Sequence, residues 1–155
     1  MAIEFNIETP GQEVVINMAF DAPRDLVYRL YTDPGLVSQW WGPRSQITTV
    51  DQMDVSQGGT WRFVSRDAEG NEFGFHGVFH EVRPPERIVD TFEFEGMPGH
   101  VLLETVTFDE RDGRTYVRNE SVFQTVEDRD GMLNSGMVEG TRESVERFAE
   151  LLAKH

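Results

Sequence analysis

The C-terminal stretch carries the pattern that most restricts the fold. Leu133, Met137, Thr141, Ser144, Phe148 and Leu151 recur at steps of three or four, and Val138, Val145 and Leu152 widen the stripe. That spacing predicts one amphipathic helix over Asp130 to Ala153, roughly 35 Å long at about 1.5 Å per residue. A helix with a single apolar stripe has to cover another apolar surface, and a sheet face is the natural partner. Gly136 and Gly140 lie one turn apart inside it. Each costs on the order of 1 kcal/mol relative to Ala in a helix interior. Either the backbone approaches the sheet closely there, or room is left for a ligand.

The middle of the chain supplies strands. Val14 to Phe20 is rich in β-branched residues and reads as a first strand. Two short helices follow it. One spans about 23–32, with Pro23 in its first turn and Leu26, Val27, Leu30 and Tyr31 at helical spacing. The other opens at Asp33-Pro34, runs through Leu36, Val37 and Trp40, and stops at Gly42-Pro43. Strand segments then run over Ile47 to Val55, Trp61 to Ser65, Phe73 to Val82, Ile88 to Phe94, Leu102 to Phe108 and Thr115 to Phe123. Asp67 to Asn71 and Arg111-Asp112-Gly113 are hairpin turns, and Pro84-Pro85 marks a corner. Short hairpins imply an antiparallel sheet. The class is α+β, in a single domain over residues 1–155 with no linker or repeat.

Charge and composition exclude several functions. The net charge is −14, from 14 basic and 28 acidic residues, and Lys154 is the only lysine. With no basic run, the chain has no footprint for nucleic acid and none for anionic lipid. Cysteine is absent, which removes disulfides, thiolate metal sites and thiol nucleophiles. The N-terminal segment from Met1 to Asn6 lacks the basic and apolar regions of a signal peptide, and no stretch approaches a membrane span. Cytoplasm is the expected location.

Few residues announce chemistry. His76 and His80 are four apart, but in a strand-like tract that spacing spans about 13 Å, beyond the reach of one metal ion. No metal site and no cofactor are expected, for the chain has no nucleophile elbow, P-loop or dinucleotide fingerprint. Either histidine could still point into a pocket as acid, base or donor; the plainer reading is a partly exposed strand residue. Asp90 shares strand parity with Ile88 and Phe92, and Glu104 with Leu102 and Val106. A carboxylate on an apolar face is costly unless paired or neutralised. It is either a pocket acid or base with a raised pKa or, more plainly, a surface or salt-bridged carboxylate at a strand end. Parity between Phe73 and Val82 is ambiguous, since both faces carry apolar groups.

The aromatics are too many and too bulky to fill a thin helix-on-sheet layer. A sheet curved around one helix commonly leaves a cavity, and such cavities are mostly apolar with a few polar groups. The candidate lining is Trp40, Trp41, Trp61, Phe63, Phe75, Phe92, Phe94 and Val117 from helix end and strands, with Asn119, His76 and His80 as polar groups and Met137 and Gly140 from the long helix.

Five tracts together carry a family resemblance. They are Ala22-Pro23-Arg24-Asp25-Leu26-Val27-Tyr28; Thr32-Asp33-Pro34 with Trp40-Trp41-Gly42-Pro43; Gly58-Gly59-Thr60-Trp61-Arg62-Phe63; Gly77 to Val89 with its Pro84-Pro85-Glu86-Arg87; and Gly136 to Ser144. In this order the chain resembles the START-like (SRPBCC) superfamily, in the branch named after the activator of the heat-shock-protein-90 ATPase. The resemblance implies a helix-grip (Bet v 1-like) fold, with a curved antiparallel sheet of about six strands around a long C-terminal helix. It also implies a hydrophobic ligand in the cavity, and distant relatives include polyketide cyclases and lipid carriers. No universal catalytic motif comes with it.

The leading function is binding of a small hydrophobic or aromatic molecule. One alternative is a cyclase- or hydrolase-type enzyme, with donors and proton transfer from among His76, His80, Asp90, Glu104, Arg62 and Asn119. The other is an interaction module, a chaperone cofactor or a homodimer, with Trp40-Trp41 and the Gly96-Met97-Pro98-Gly99 loop as exposed contacts.

Overall fold

The computed structural model describes residues 2–155; Met1 lies outside them. Eight strands form one antiparallel sheet: β1 (Ala2–Glu8), β2 (Glu13–Phe20), β3 (Ile47–Met53), β4 (Thr60–Arg66), β5 (Glu72–Arg83), β6 (Arg87–Phe94), β7 (Val101–Arg111) and β8 (Arg114–Val122). Their spatial order is β1-β2-β8-β7-β6-β5-β4-β3. Two more strands are present than the family resemblance implied. The strand missed in the sequence is β1, which pairs with β2 along its length. From β2 the chain crosses to the far edge of the sheet through α1 (Arg24–Thr32) and α2 (Pro34–Trp40), then returns strand by strand.

Local chemistry sets the ends of these elements. Pro23 precedes α1 rather than opening it, and its carbonyl accepts from the Leu26 and Val27 amides. Asp33 caps α2 by accepting from the Gly35 amide at 2.9 Å, with Pro34 at the first helical position. The β7–β8 turn has positive φ at both Asp112 and Gly113, +55° and +77°, as a two-residue hairpin matched to strand twist requires.

The C-terminal helix is not continuous. It begins earlier than the periodicity indicates, as α3 (Val126–Met132), capped by the Thr125 hydroxyl accepting from Asp128. A wide turn over Leu133–Met137 follows, in which Gly136 takes φ +87° and breaks the helical path. The long helix proper is α4 (Val138–Leu152). The stripe of apolar spacing runs through the break, so periodicity alone does not reveal it.

One face of α4 closes on the sheet. Phe148 is fully buried, with ring centroids 4.9 Å from Phe20, 4.9 Å from Trp40 and 5.2 Å from Tyr31. The Trp-Trp-Gly-Pro tract acts as a clasp for this helix. Ser144 Oγ accepts from the Gly42 amide and donates to its carbonyl, both at 3.0 Å, and Arg147 donates to the same carbonyl at 2.9 Å. Trp40 Nε1 donates to the Leu30 carbonyl at 2.9 Å, which ties α1 to the clasp. The clasp and the Phe148 cluster hold one end of α4 down. The kink at Gly136 leaves the other end standing off the sheet.

Candidate functional site

Where α4 stands off, a cavity of about 460 Å³ lies between helix and sheet. Its aromatic wall is continuous. Trp41 meets Phe63 and Phe75 edge-on at 5.2 and 5.0 Å, and Trp61 packs on Phe63 at 4.7 Å and on Phe92 at 5.9 Å. Ile16, Met18, Val106 and Phe79 extend the apolar lining, and Met132, Met137 and Gly140 line it from the helical side.

The strand ambiguity resolves toward the odd positions of β5. Phe75 and Phe79 line the cavity, whereas His76 turns to the outer face of the sheet. There its Nδ1 meets Glu95 Oε2 at 2.9 Å and its Nε2 meets Glu93 at 3.3 Å. Arg62 holds the same Glu95 with two bonds of 2.8 Å. Hydrogen bonds from Arg62 and His76 lower the Glu95 pKa to about 2. His80 is exposed, as the extra residue in a bulge between the Phe79–Asp90 and Glu81–Val89 pairs. His76, His80 and Arg62 are therefore absent from the cavity wall.

Two other sequence candidates fall outside it. Val117 is buried in the core beyond the cavity, and Phe94 lies at the sheet margin beside Phe73. The remaining candidates, Trp40, Trp41, Trp61, Phe63, Phe75, Phe92, Asn119, Met137 and Gly140, share the cavity wall. Trp40 is buried and Trp41 half-buried, so they are not the exposed pair that an interaction surface required. The two helix glycines answer the question posed by their cost. An added Cβ would meet no atom within 4 Å at either Gly136 or Gly140. Both leave space; neither permits close approach.

The carboxyl groups of the cavity lie in one row with a serine. Ser121 on β8, Glu104 on β7 and Asp90 on β6 are directly opposed in the sheet register, framed by Val14 on β2 and Phe79 on β5. Asp90 is 6% exposed, and the described residues place no cation in ion-pair contact with either carboxyl. Its Oδ1 has no hydrogen-bond partner, and neither does the buried Trp61 Nε1 nearby. Asn119 donates to Glu104 at 3.2 Å. Burial, followed by the charge of Glu104, pushes the Asp90 pKa well above the usual carboxylate range. Burial raises Glu104 as well, partly offset by hydrogen bonds from Asp90 and Asn119. Glu104 keeps some accessible surface, but it lines the cavity. Burial also raises the Tyr31 hydroxyl on the same wall, with Glu104 adding to the effect.

The plainer reading of Asp90 and Glu104, a surface or salt-bridged carboxylate, does not hold: both line the cavity and neither has a salt-bridge partner among the described residues. Their parity with apolar neighbours was the available signal. The register that sets them face to face was not.

Residues 21–153 match the family described as Activator of Hsp90 ATPase homolog 1-like protein. The chain belongs to that family, within the START-like superfamily. No curated protein matches it. A protein from Arthrobacter aurescens has the same fold with a TM-score of 0.90 at 23% identity, over 100% of this chain and 94% of its own. One from Rhodobacter sphaeroides superposes with a TM-score of 0.90 at 24% identity, over 98% of this chain and 100% of its own. DynU16, a protein of the dynemicin biosynthetic locus, shares the fold with a TM-score of 0.70 at 21% identity, over 93% of this chain and 48% of its own. At these identities the likeness is one of fold. No helix among the described residues is long and apolar enough to cross a membrane.

Proposed function

We propose that this family member binds a small hydrophobic molecule with an aromatic or similarly bulky body, between the sheet and α4. The observation that carries the reading is the cavity itself: about 460 Å³, walled by Trp41, Trp61, Phe63, Phe75 and Phe92, with carboxyl groups confined to a single row. Volume and lining both suit a compact ligand. Gly140 supports it, since it gives up helix propensity at a place where the gain is empty space.

The test is a titration with N-phenyl-1-naphthylamine, an uncharged fluorophore, read by dye emission and by thermal melting. A ligand that binds only the folded state stabilises it by about 2.7 kcal/mol at one hundred times its Kd. The expected result is saturable emission with a rising melting temperature. Gly140→Leu, which fills the lining, should abolish both while the protein stays folded. Saturation unchanged in Gly140→Leu, or no saturation at all, would remove the reading.

A second reading rests on the same row. Asp90, Glu104 and Asn119 converge on one wall, as a cyclase- or hydrolase-type enzyme needs. Opposed carboxyls with raised pKa values can divide acid and base roles. A molecule recovered from the cavity that is turned over by the native protein and not by Asp90→Asn would support it.

A further inference from the structure

The cavity holds negative charge capacity and no positive charge. Asp90, Glu104 and Tyr31 are its titratable groups; among its lining residues there is no Lys, Arg or His. β2, β3, β4, β5, β8, α2, α3 and α4 contribute no titratable side chain to the wall. The cations of α4 are engaged elsewhere: Arg147 on the Gly42 and Gln39 carbonyls, Arg142 beside Glu139. A buried acidic pair is not by itself a site. Here a second observation accompanies it, because the Asp90 side chain is 6% exposed, belongs to the cavity wall and carries an Oδ1 with no hydrogen-bond partner.

Aromatic residues neighbour Asp90 in the sheet. Phe79 lies directly opposite Asp90 on β5, Phe92 is the next inward residue on β6, and Trp61 packs against Phe92. Ring faces attract cations, more strongly where water is excluded. A carboxyl pair with an unused acceptor, set among aromatic rings and without an internal counter-ion, is complementary to an ammonium group on an apolar body.

We propose that the ligand of this cavity is a hydrophobic amine, with its body among Trp41, Phe63, Phe75 and Phe92 and its protonated nitrogen held at Asp90 and Glu104. This rests on the cavity-binding reading above. The raised carboxyl pKa values give it a signature: an arriving ammonium favours ionisation of the pair, so binding releases protons to solvent.

The experiment compares two probes of nearly equal shape, 1-naphthylmethylamine and 1-naphthalenemethanol, by calorimetry at pH 7.5 in two buffers of different ionisation enthalpy. The amine should bind at least tenfold more tightly and release protons. The double variant Asp90→Asn, Glu104→Gln should reduce the preference below threefold and retain the affinity for the alcohol, which reports an intact cavity. The variant also separates cavity binding from attraction to a protein of net charge −14. Equal or tighter binding of the alcohol overturns the amine proposal and leaves the cavity reading standing. A preference that survives the double variant overturns it too. Binding of neither probe removes the cavity reading and the proposal together.

Discussion

Directly opposed like charges on neighbouring antiparallel strands repel, and burial sharpens the cost. Asp90 and Glu104 are such a pair. Both folded pKa values lie above their unfolded ones, so the folded state holds extra protons in between. Stability therefore falls as pH rises from the ordinary carboxylate range through the folded pKa values, and levels off above them. Glu104→Gln relieves the repulsion. Its melting temperature should exceed that of the native protein at pH 8, by about 2–4 °C for each ~1 kcal/mol relieved in a domain of this size. The difference should vanish toward pH 4; thermal melts across that range check it. Glu95 has the opposite sign: its pKa, lowered to about 2, gives a contribution present at neutral pH and lost in acid. At Gly77 the constraint is steric. A Cβ there would lie 1.8 Å from the Thr91 carbonyl oxygen and 2.6 Å from Trp61 Nε1. Gly77→Ala should push Trp61 from its place and change the near-ultraviolet circular dichroism. An unchanged spectrum would show that the strand yields instead.

The kink makes the two helix glycines unequal, although both read alike in the sequence. Gly136 sits at φ +87°, where an L side chain is strained by about 1–2 kcal/mol. Gly140 is helical and faces open space. Gly136→Ala should destabilise the protein or straighten the helix over the cavity. Gly140→Ala should stabilise it by about 0.5–1 kcal/mol through propensity. Denaturant melts of the two variants test the opposite signs. Much of this architecture was visible beforehand. Asp33-Pro34 and the seven strand segments from Val14 onward follow from capping chemistry and period-2 spacing. β1 carries the same spacing, with Phe5 and Ile7 half-buried between exposed Glu4, Asn6 and Glu8. With only two half-buried apolar residues, so short a segment gives that spacing little weight. The cavity row was hidden for a different reason. Parity says which face a side chain takes; it does not say which residue of the next strand stands opposite. That depends on register, and the pairing of Asp90 with Glu104 is a register fact.

Over the whole molecule, charge is the opposing force and aromatic packing the sustaining one. A net charge of −14 on 155 residues favours expansion, and surface ion pairs return little. Raising ionic strength from about 0.01 to 0.15 M shortens the screening length from roughly 30 to 8 Å, so the melting temperature should rise with salt. Calorimetry in sodium chloride checks this; a flat response would mean that the acidic groups are too far apart to interact.

The strand order carries one more consequence. β4 to β7 join their sequence neighbours through local hairpins, but β2 pairs with β8, with Val14 opposite Ser121, across roughly a hundred residues. Contacts that distant are slow to close. During synthesis the central hairpins can zip while β2 waits for β8, and α4 follows β8 in the chain. The wall that carries Ser121 and the helix that faces it are therefore made after the aromatic wall of β4 to β6. Pocket formation is tied to the slow, long-range step of folding, so a place for a ligand arises together with the closing of the sheet rather than before it.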